Sequence, residues 1–583
     1  MDSIRSCFST CRITAQNASL SGSGTALSIS SADDDDRSNP NGEAPILAAC
    51  RGKNLPWVQE LLENDPALVN RSFLSKVAGP AWHVYPLFIA AQYGHLDVAK
   101  CLIKAISVAL ETLPEADKSA AAGRFLSAAC KDGSTALFIA AQNGHPDFAK
   151  CLIEALNEAV ETLPEADKVT AVRAFLSAAC KGGATPLFIA AQYGHLGVVK
   201  CLIEALNEAV KTLPEEGKST AVCAFLSTAC KDGATPLFIA AQKGYLGVVK
   251  YLIEALNEAV KTLPEEDKST AVRAFLSTAC KNGATPLNIA AQNKHPGVAK
   301  CLIEALNEAV KTLPEEDKST AVRAFMSTAC KDGATPLLIA VQDGHLGMVK
   351  CLIEALKEAV KTLPEADKST AVRAFLSTTC EVEATALFIA AQKGHLEIAK
   401  YLIGAFSEVV KTLSEADKST AAVRSFLSAA CKGGETALYI AALNGHLGVV
   451  KYLIGAFSEV VKTLPEADKS TAVRQFLSAA CKDGATALFV AAQNGHGAVL
   501  NFLLEQGADP EQKWTLCFLG KYRVFKWFFT RSPLEAAGMS GHLVTKRRLE
   551  CILQERRMAV KRPEIMVMEE AVTLMPGTGE TAL

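Results

Sequence analysis

The sequence predicts an all-α helical repeat solenoid, and three observations carry that reading. A pattern of fifty residues recurs from about residue 84 to 500, with Thr135, Thr185, Thr235, Thr285, Thr335 and Thr385 in register and Thr436 and Thr486 displaced by one inserted residue. Within each copy the apolar residues fall three and four apart, the spacing of one helix face. Thr, Pro and Gly punctuate most copies at the same places. A chain of 583 residues exceeds a single hydrophobic core. A fixed period lets it grow by stacking, each copy covering its neighbour.

Residues 232–281 serve as the type repeat. Asp232-Gly233 marks a turn, Thr235 is an N-cap, Pro236 takes the first helical position, and Gly244 suits a left-handed helix end. The first helix is therefore short. A second helix is expected from about Leu246 to Leu263, its stripe made by Val248, Val249, Leu252, Ile253, Leu256, Ala259, Val260 and Leu263. Pro264 stops it. Glu265, Glu266 and Asp267 suit the positive N-terminus of a third helix, with Ala271, Val272, Phe275, Leu276 and Cys280 as its apolar face.

The ends of the array differ from its middle. Ala44-Pro45-Ile46-Leu47-Ala48-Ala49 with Trp57 to Leu62 reads as a degenerate first repeat. Ser532-Pro533-Leu534-Glu535-Ala536-Ala537 with Gly541-His542-Leu543 reads as a degenerate last one, for about eleven in all. The expected organisation is a disordered Ser/Asp-rich segment over 1–42, the solenoid over 43–510, and a basic, aromatic segment with the last repeat over 511–583.

The stretch from Gly183 to Glu204, G-A-T-P-L-F-I-A-A-Q-Y-G-H-L-G-V-V-K-C-L-I-E, resembles the ankyrin repeat in order and spacing, as does Gly507-Ala508-Asp509-Pro510. The resemblance covers roughly residues 43–556. Three departures stand out. The period is fifty residues against about 33 in the family, Phe usually follows T-P-L in place of His, and Ala136, Ala386, Ala437 and Ala487 stand where Pro is usual. The extra length is read as a longer second helix and an added third one, which takes over much of the connection that projects as a hairpin finger in the family.

The resemblance implies a protein partner that is held by the end of the first helix and the turn. Carried over by position, the candidate contact residues are Tyr93, Asn143, Tyr193, Lys243, Asn293, Asp343, Lys393, Asn444 and Asn494. These positions vary in size and charge on an otherwise repeated surface. Residues 302–325 nonetheless repeat 252–275 without a change, which speaks for duplication with little specialisation.

Nothing in the sequence carries enzyme chemistry. No Gly-rich phosphate loop and no H-E-x-x-H or G-x-S-x-G motif occurs, so no catalytic residue and no cofactor is expected. Nine of the ten histidines open the second helix one repeat apart, too far to share a metal ion, and Tyr245 fills the same slot once. A structural role is expected for them, and no metal. Cys101, Cys151, Cys201, Cys301 and Cys351 share one register position, where Tyr251, Tyr401 and Tyr452 replace cysteine. Cys130, Cys180, Cys230, Cys280, Cys330, Cys380, Cys431 and Cys481 share another, expected to end the third helix. They read as small buried apolar residues.

Sixty basic residues against 62 acidic ones leave nothing global that points to nucleic acid. No secretory leader and no apolar run of membrane-spanning length is seen, so a soluble, cytoplasmic monomer is expected, in a host cell if the chain is exported. Residues 511–562 hold twelve Lys or Arg against four Glu, and Lys521 to Phe529 interleaves base with aromatic. The reading preferred there is a helix packed on the last repeat, the alternative a membrane-surface anchor. Cys7 and Cys11 are weighed as lipidation sites. Glu580-Thr581-Ala582-Leu583 is weighed as a PDZ ligand against the start of an interrupted repeat, which is favoured because Gly579 to Leu583 copies Gly434 to Leu438. The function expected is a non-enzymatic binding scaffold, with a peripheral membrane adaptor as the alternative.

Overall fold

The computed structural model describes residues 44–75, 82–111, 113–361, 363–411, 416–512, 514–519 and 526–572. Cys7, Cys11 and the tail from Gly579 to Leu583 lie outside them, as does the segment read as disordered. Among the described residues, contacts group the chain into two compact bodies. One comprises 44–339 with Glu354–Ala359, and the other Ala340–Ile353 with 360–572.

The chain is an all-α repeat solenoid. Among the described residues, eleven short first helices open the repeats, beginning with Pro45–Arg51 and Pro86–Tyr93 and ending with Ala487–Gln493 and Pro533–Met539. In the type repeat the first helix is Pro236–Lys243. The Thr235 hydroxyl accepts from the Phe238 N–H, and Gly244 ends the helix at φ +78°. Local chemistry sets both ends: a hydroxyl satisfies one of the orphan N–H groups of the first turn, and glycine alone takes the left-handed turn without a Cβ penalty.

The second helix is Leu246–Ala259, one turn shorter than its apolar stripe predicts. Val260 is still buried, but Leu263 bonds back to Val260 in a turn that leads into Pro264. The cause lies in the proline, whose ring disfavours helical backbone in the residue before it. The third helix, Glu265–Ser277, buries Val272, Phe275 and Leu276. Cys280 falls beyond its end, in the turn, contrary to the reading that placed this set of cysteines at the helix terminus.

Stacking follows the predicted logic within each body. In the first, the helices Pro86–Tyr93, Ala136–Asn143, Pro186–Tyr193, Pro236–Lys243 and Pro286–Gln292 pack side by side in sequence order. Each third helix packs chiefly on the second helix of the following repeat. In the second, Ala386–Lys393, Ala437–Leu443, Ala487–Gln493 and Pro533–Met539 form the same kind of row. Leu202, Leu252 and Leu302 are all completely buried, as a core repeated every fifty residues requires.

Two connections depart from the helical pattern. Strand β1 (Phe73–Ser75) pairs antiparallel with β2 (Trp82–Val84), and β3 (Trp514–Leu519) with β4 (Lys526–Arg531). Each pair stands where the interior repeats place a third helix. The second pair corrects the expectation of a packed helix over that basic stretch. Trp-Thr-Leu-Cys-Phe-Leu and Lys-Trp-Phe-Phe-Thr-Arg are rich in aromatic and β-branched residues, which favour a pleated surface, and the pairing of Cys517 with Phe528 sets the register. The helix Leu543–Val572 follows the last first helix.

Candidate functional site

The nine positions carried over from the resemblance are all exposed. Each sits at the C-terminal end of a first helix or caps it. Tyr93, Asn143, Tyr193, Lys243 and Asn293 therefore form a line along the first body, and Asp343, Lys393, Asn444 and Asn494 a line along the second. Neighbours in each line are separated by the spacing of packed helices, about 8–10 Å.

Their side chains are not equally available. Asn293 and Asn494 donate to the carbonyls of Ile289 and Val490, at 3.0 and 2.8 Å. Asn143 reaches the carbonyl of Gln92 in the preceding repeat, and Asn444 those of Gln392 and Ile440. The side chains of Asn293, Asn444 and Asn494 thus add a second donor to carbonyls that already accept the backbone N–H of the same residue. Tyr93 and Tyr193 stack on His95 and His195 of their own repeats with centroids 5.8 and 6.2 Å apart, yet stay 42% and 40% exposed. Lys243, Asp343 and Lys393 complete the exposed set. The rest of the first helix offers no surface, since Pro186 to Ala191 are all buried. The exposed part of the helix Pro186–Tyr193 is thus its C-terminal end.

The histidines are structural fasteners. The Nε2 atoms of His95, His195, His295, His395, His446 and His496 lie 3.0–3.3 Å from main-chain carbonyls of Arg51, Gln142, Gln242, Gln342, Gln392 and Leu443, each in the preceding repeat. A carbonyl only accepts, so Nε2 is the donor in each pair. Burial holds His145 below the usual imidazole range, with His195 and His95 adding to the effect and the Gln92 carbonyl opposing it. The rings of His145, His195, His295, His395, His446 and His496 also rest on the left-handed glycine of the preceding repeat. A Cβ at Gly94, Gly144, Gly244 or Gly394 would meet the next histidine at 2.5–2.6 Å, and one at Gly194 would meet Tyr245 at 2.7 Å.

Sixteen of the cysteines, from Cys50 to Cys481 together with Cys551, are free thiols. Burial pushes Cys50 and Cys130 up to about 12 and Cys201 to about 11, so they stay protonated and weakly reactive. At two of the three positions where tyrosine replaces cysteine in the second helix, the ring gains a cation from the repeat before it. Lys200 lies 5.4 Å from the Tyr251 ring centre, and Lys350 5.6 Å from that of Tyr401.

Two features were not read from the sequence. Asn288 stands where Phe is usual and is fully buried. It forms a capping box with Thr285 and donates to the carbonyls of Thr328 and Ala334. The repeated C-K-D-G turn also carries an exposed lysine in almost every repeat, a signal visible in the fifty-residue alignment but masked by a balanced net charge.

The family model described as ankyrin repeats (3 copies) matches the chain in overlapping windows from 46–161 through 407–513, together spanning residues 46–513. The chain belongs to the ankyrin repeat family. Ankyrin repeats are in general modules for protein–protein interaction and generally non-enzymatic. No curated protein matches the chain.

Proposed function

We propose that the protein is a non-enzymatic scaffold that binds a partner protein along the exposed ends of its first helices. The observation that carries this is the line of Tyr93, Tyr193 and Lys243 in the first body and Asp343 and Lys393 in the second, exposed aromatic and charged side chains on a rigid stack. Rigid presentation limits the entropy lost on binding, and aromatic and charged anchors are what such surfaces use. The test replaces these five residues with Ala and measures affinity for a partner captured by the full chain. Affinity should fall by about tenfold per anchor at the interface centre. Unchanged affinity would move the site to the third helices or the turns.

The membrane-adaptor alternative rests on the basic, aromatic C-terminal segment, in which residues 514–519 and 526–531 are paired strands; among the described residues no helix is long and apolar enough to cross a membrane. Co-sedimentation of the full chain with anionic liposomes tests surface attachment directly.

A further inference from the structure

Many lysines at the end of the second helix and the start of the third are paired with a glutamate three residues earlier, as in Glu208–Lys211, Glu215–Lys218, Glu258–Lys261, Glu265–Lys268, Glu308–Lys311 and Glu315–Lys318. The turn lysines of the first body, Lys131, Lys181, Lys231, Lys281 and Lys331, are exposed and have no carboxylate partner among the described residues.

Their backbones are fixed. The N–H groups of Lys181, Lys231, Lys281 and Lys331 donate to the carbonyls of Asp132, Gly182, Asp232 and Asn282 in the preceding turns, at 2.6–3.0 Å. The stems of Lys231 and Lys331 lie against Gly183 and Gly283, so close that a Cβ there would meet Cγ of the lysine at 3.3 and 3.4 Å. Each stem is thus held on the turn before it while the ammonium group faces water. Three of the five turns also carry an aspartate, Asp132, Asp232 and Asp332, and Asp132 is committed to the N–H and hydroxyl of Ser134. Five lysines against three aspartates leave the edge positive. In the second body the register position of the next turn is Glu381.

The spacing gives the edge its selectivity. Successive repeats stand about 8–10 Å apart, the separation of packed helices. An extended chain in the polyproline II conformation advances about 3.1 Å per residue with three residues per turn, so every third side chain returns to the same face about one repeat further on. We propose that this edge binds an extended acidic segment of a partner protein, with a carboxylate at every third residue facing one lysine per repeat. The proposal rests on the reading of the chain as a protein-binding scaffold but uses a surface separate from the ends of the first helices.

The test titrates the full chain into labelled Gly/Ser peptides of equal charge, with glutamates at every third residue, at every second residue, or in one block, and reads fluorescence anisotropy at low salt. The every-third peptide should bind roughly tenfold more tightly than the other two, since several pairs of modest strength form together only in register. Replacing Lys131, Lys181, Lys231, Lys281 and Lys331 with Gln should abolish that preference at unchanged helix content. Replacing the helix-paired Lys211, Lys261 and Lys311 with Gln should leave it intact. Equal affinity for all three peptides, binding that survives the five-lysine variant, no binding at all, or preference for a single-stranded oligonucleotide over every peptide would each overturn the proposal. None of these outcomes bears on the anchors of the first helices, which the five-residue alanine variant tests with a captured partner.

Discussion

The Nε2 atom of His195 lies 3.0 Å from the carbonyl oxygen of Gln142, fifty-three residues earlier, and its ring covers Gly144 of that same repeat. One side chain therefore closes a helix end in one repeat and fixes the start of the second helix in the next. His195→Ala should cost about 1–2 kcal/mol, the loss of a hydrogen bond to a half-buried carbonyl. His195→Tyr should cost less, because Tyr245 already occupies the equivalent slot over Gly194. Urea denaturation of the two variants checks the order, and equal losses would refute the fastener role.

A paired glycine experiment separates backbone strain from crowding. Gly144 and Gly541 have nearly the same φ, +74° and +76°, but a Cβ at Gly144 would strike His195 at 2.5 Å whereas one at Gly541 meets nothing within 4 Å. Gly541→Ala should lose only the left-handed penalty of about 1–2 kcal/mol. Gly144→Ala should lose that and more, since two repeats must part. If both variants show the same fall in denaturation midpoint, the ring contact contributes nothing.

Acid should loosen the first body through His145. Burial holds its folded-state pKa below the ordinary value of 6.5, so the neutral ring contributes stability that is fully present above that value. The contribution is lost as pH falls through the lower folded-state value, because the unfolded chain takes up the proton more readily. Denaturation midpoints measured at falling pH should decline below about 6.5 in the native chain. The decline should be smaller in His145→Tyr. A variant that matches the native profile at every pH would rule this group out.

Glu383 is the exception among the turns. It holds φ +60° where Gly233, Gly283, Gly333 and Gly434 stand at +73° to +85° in the other repeats. A side chain in that region costs about 1–2 kcal/mol, partly offset by the lower entropy of a non-glycine chain when unfolded. Glu383→Gly should therefore stabilise the second body by about 0.5–1 kcal/mol. A loss of stability would show that the glutamate makes a contact worth more than its strain.

Legibility in the sequence followed the range of the interactions. The first helix was readable residue by residue because Thr235, Pro236 and Gly244 act within one turn of chain. The last turn of the second helix was not, since its apolar stripe runs on to Leu263 while Pro264 unwinds the backbone beneath it. The strand pair over Trp514–Leu519 and Lys526–Arg531 depends on two segments finding each other, and neither shows its partner by periodicity alone. At the candidate site, exposure of all nine positions followed from the period. The commitment of Asn143 to Gln92 and of Asn444 to Gln392 did not, because it is made with a repeat some fifty residues away.

Core and surface substitutions within one repeat should part company sharply. Leu202 is fully buried in the second helix beside Val198 and Leu206, whereas Tyr193 is 40% exposed at the end of the first helix. Leu202→Ala removes methyl groups from a stack that can close only partly, at a cost of about 2–5 kcal/mol. Tyr193→Ala leaves the backbone and its neighbours in place and should cost about 0.5 kcal/mol or less. Stability in a repeat array is close to a sum of repeat and nearest-neighbour terms, so the Leu202 loss should appear first in its own and adjoining repeats. Hydrogen exchange read along the chain would show faster exchange around residues 186–259 for Leu202→Ala and no change for Tyr193→Ala. A uniform increase in exchange over the whole first body would mean that its repeats unfold as one cooperative block, with no local propagation between neighbours.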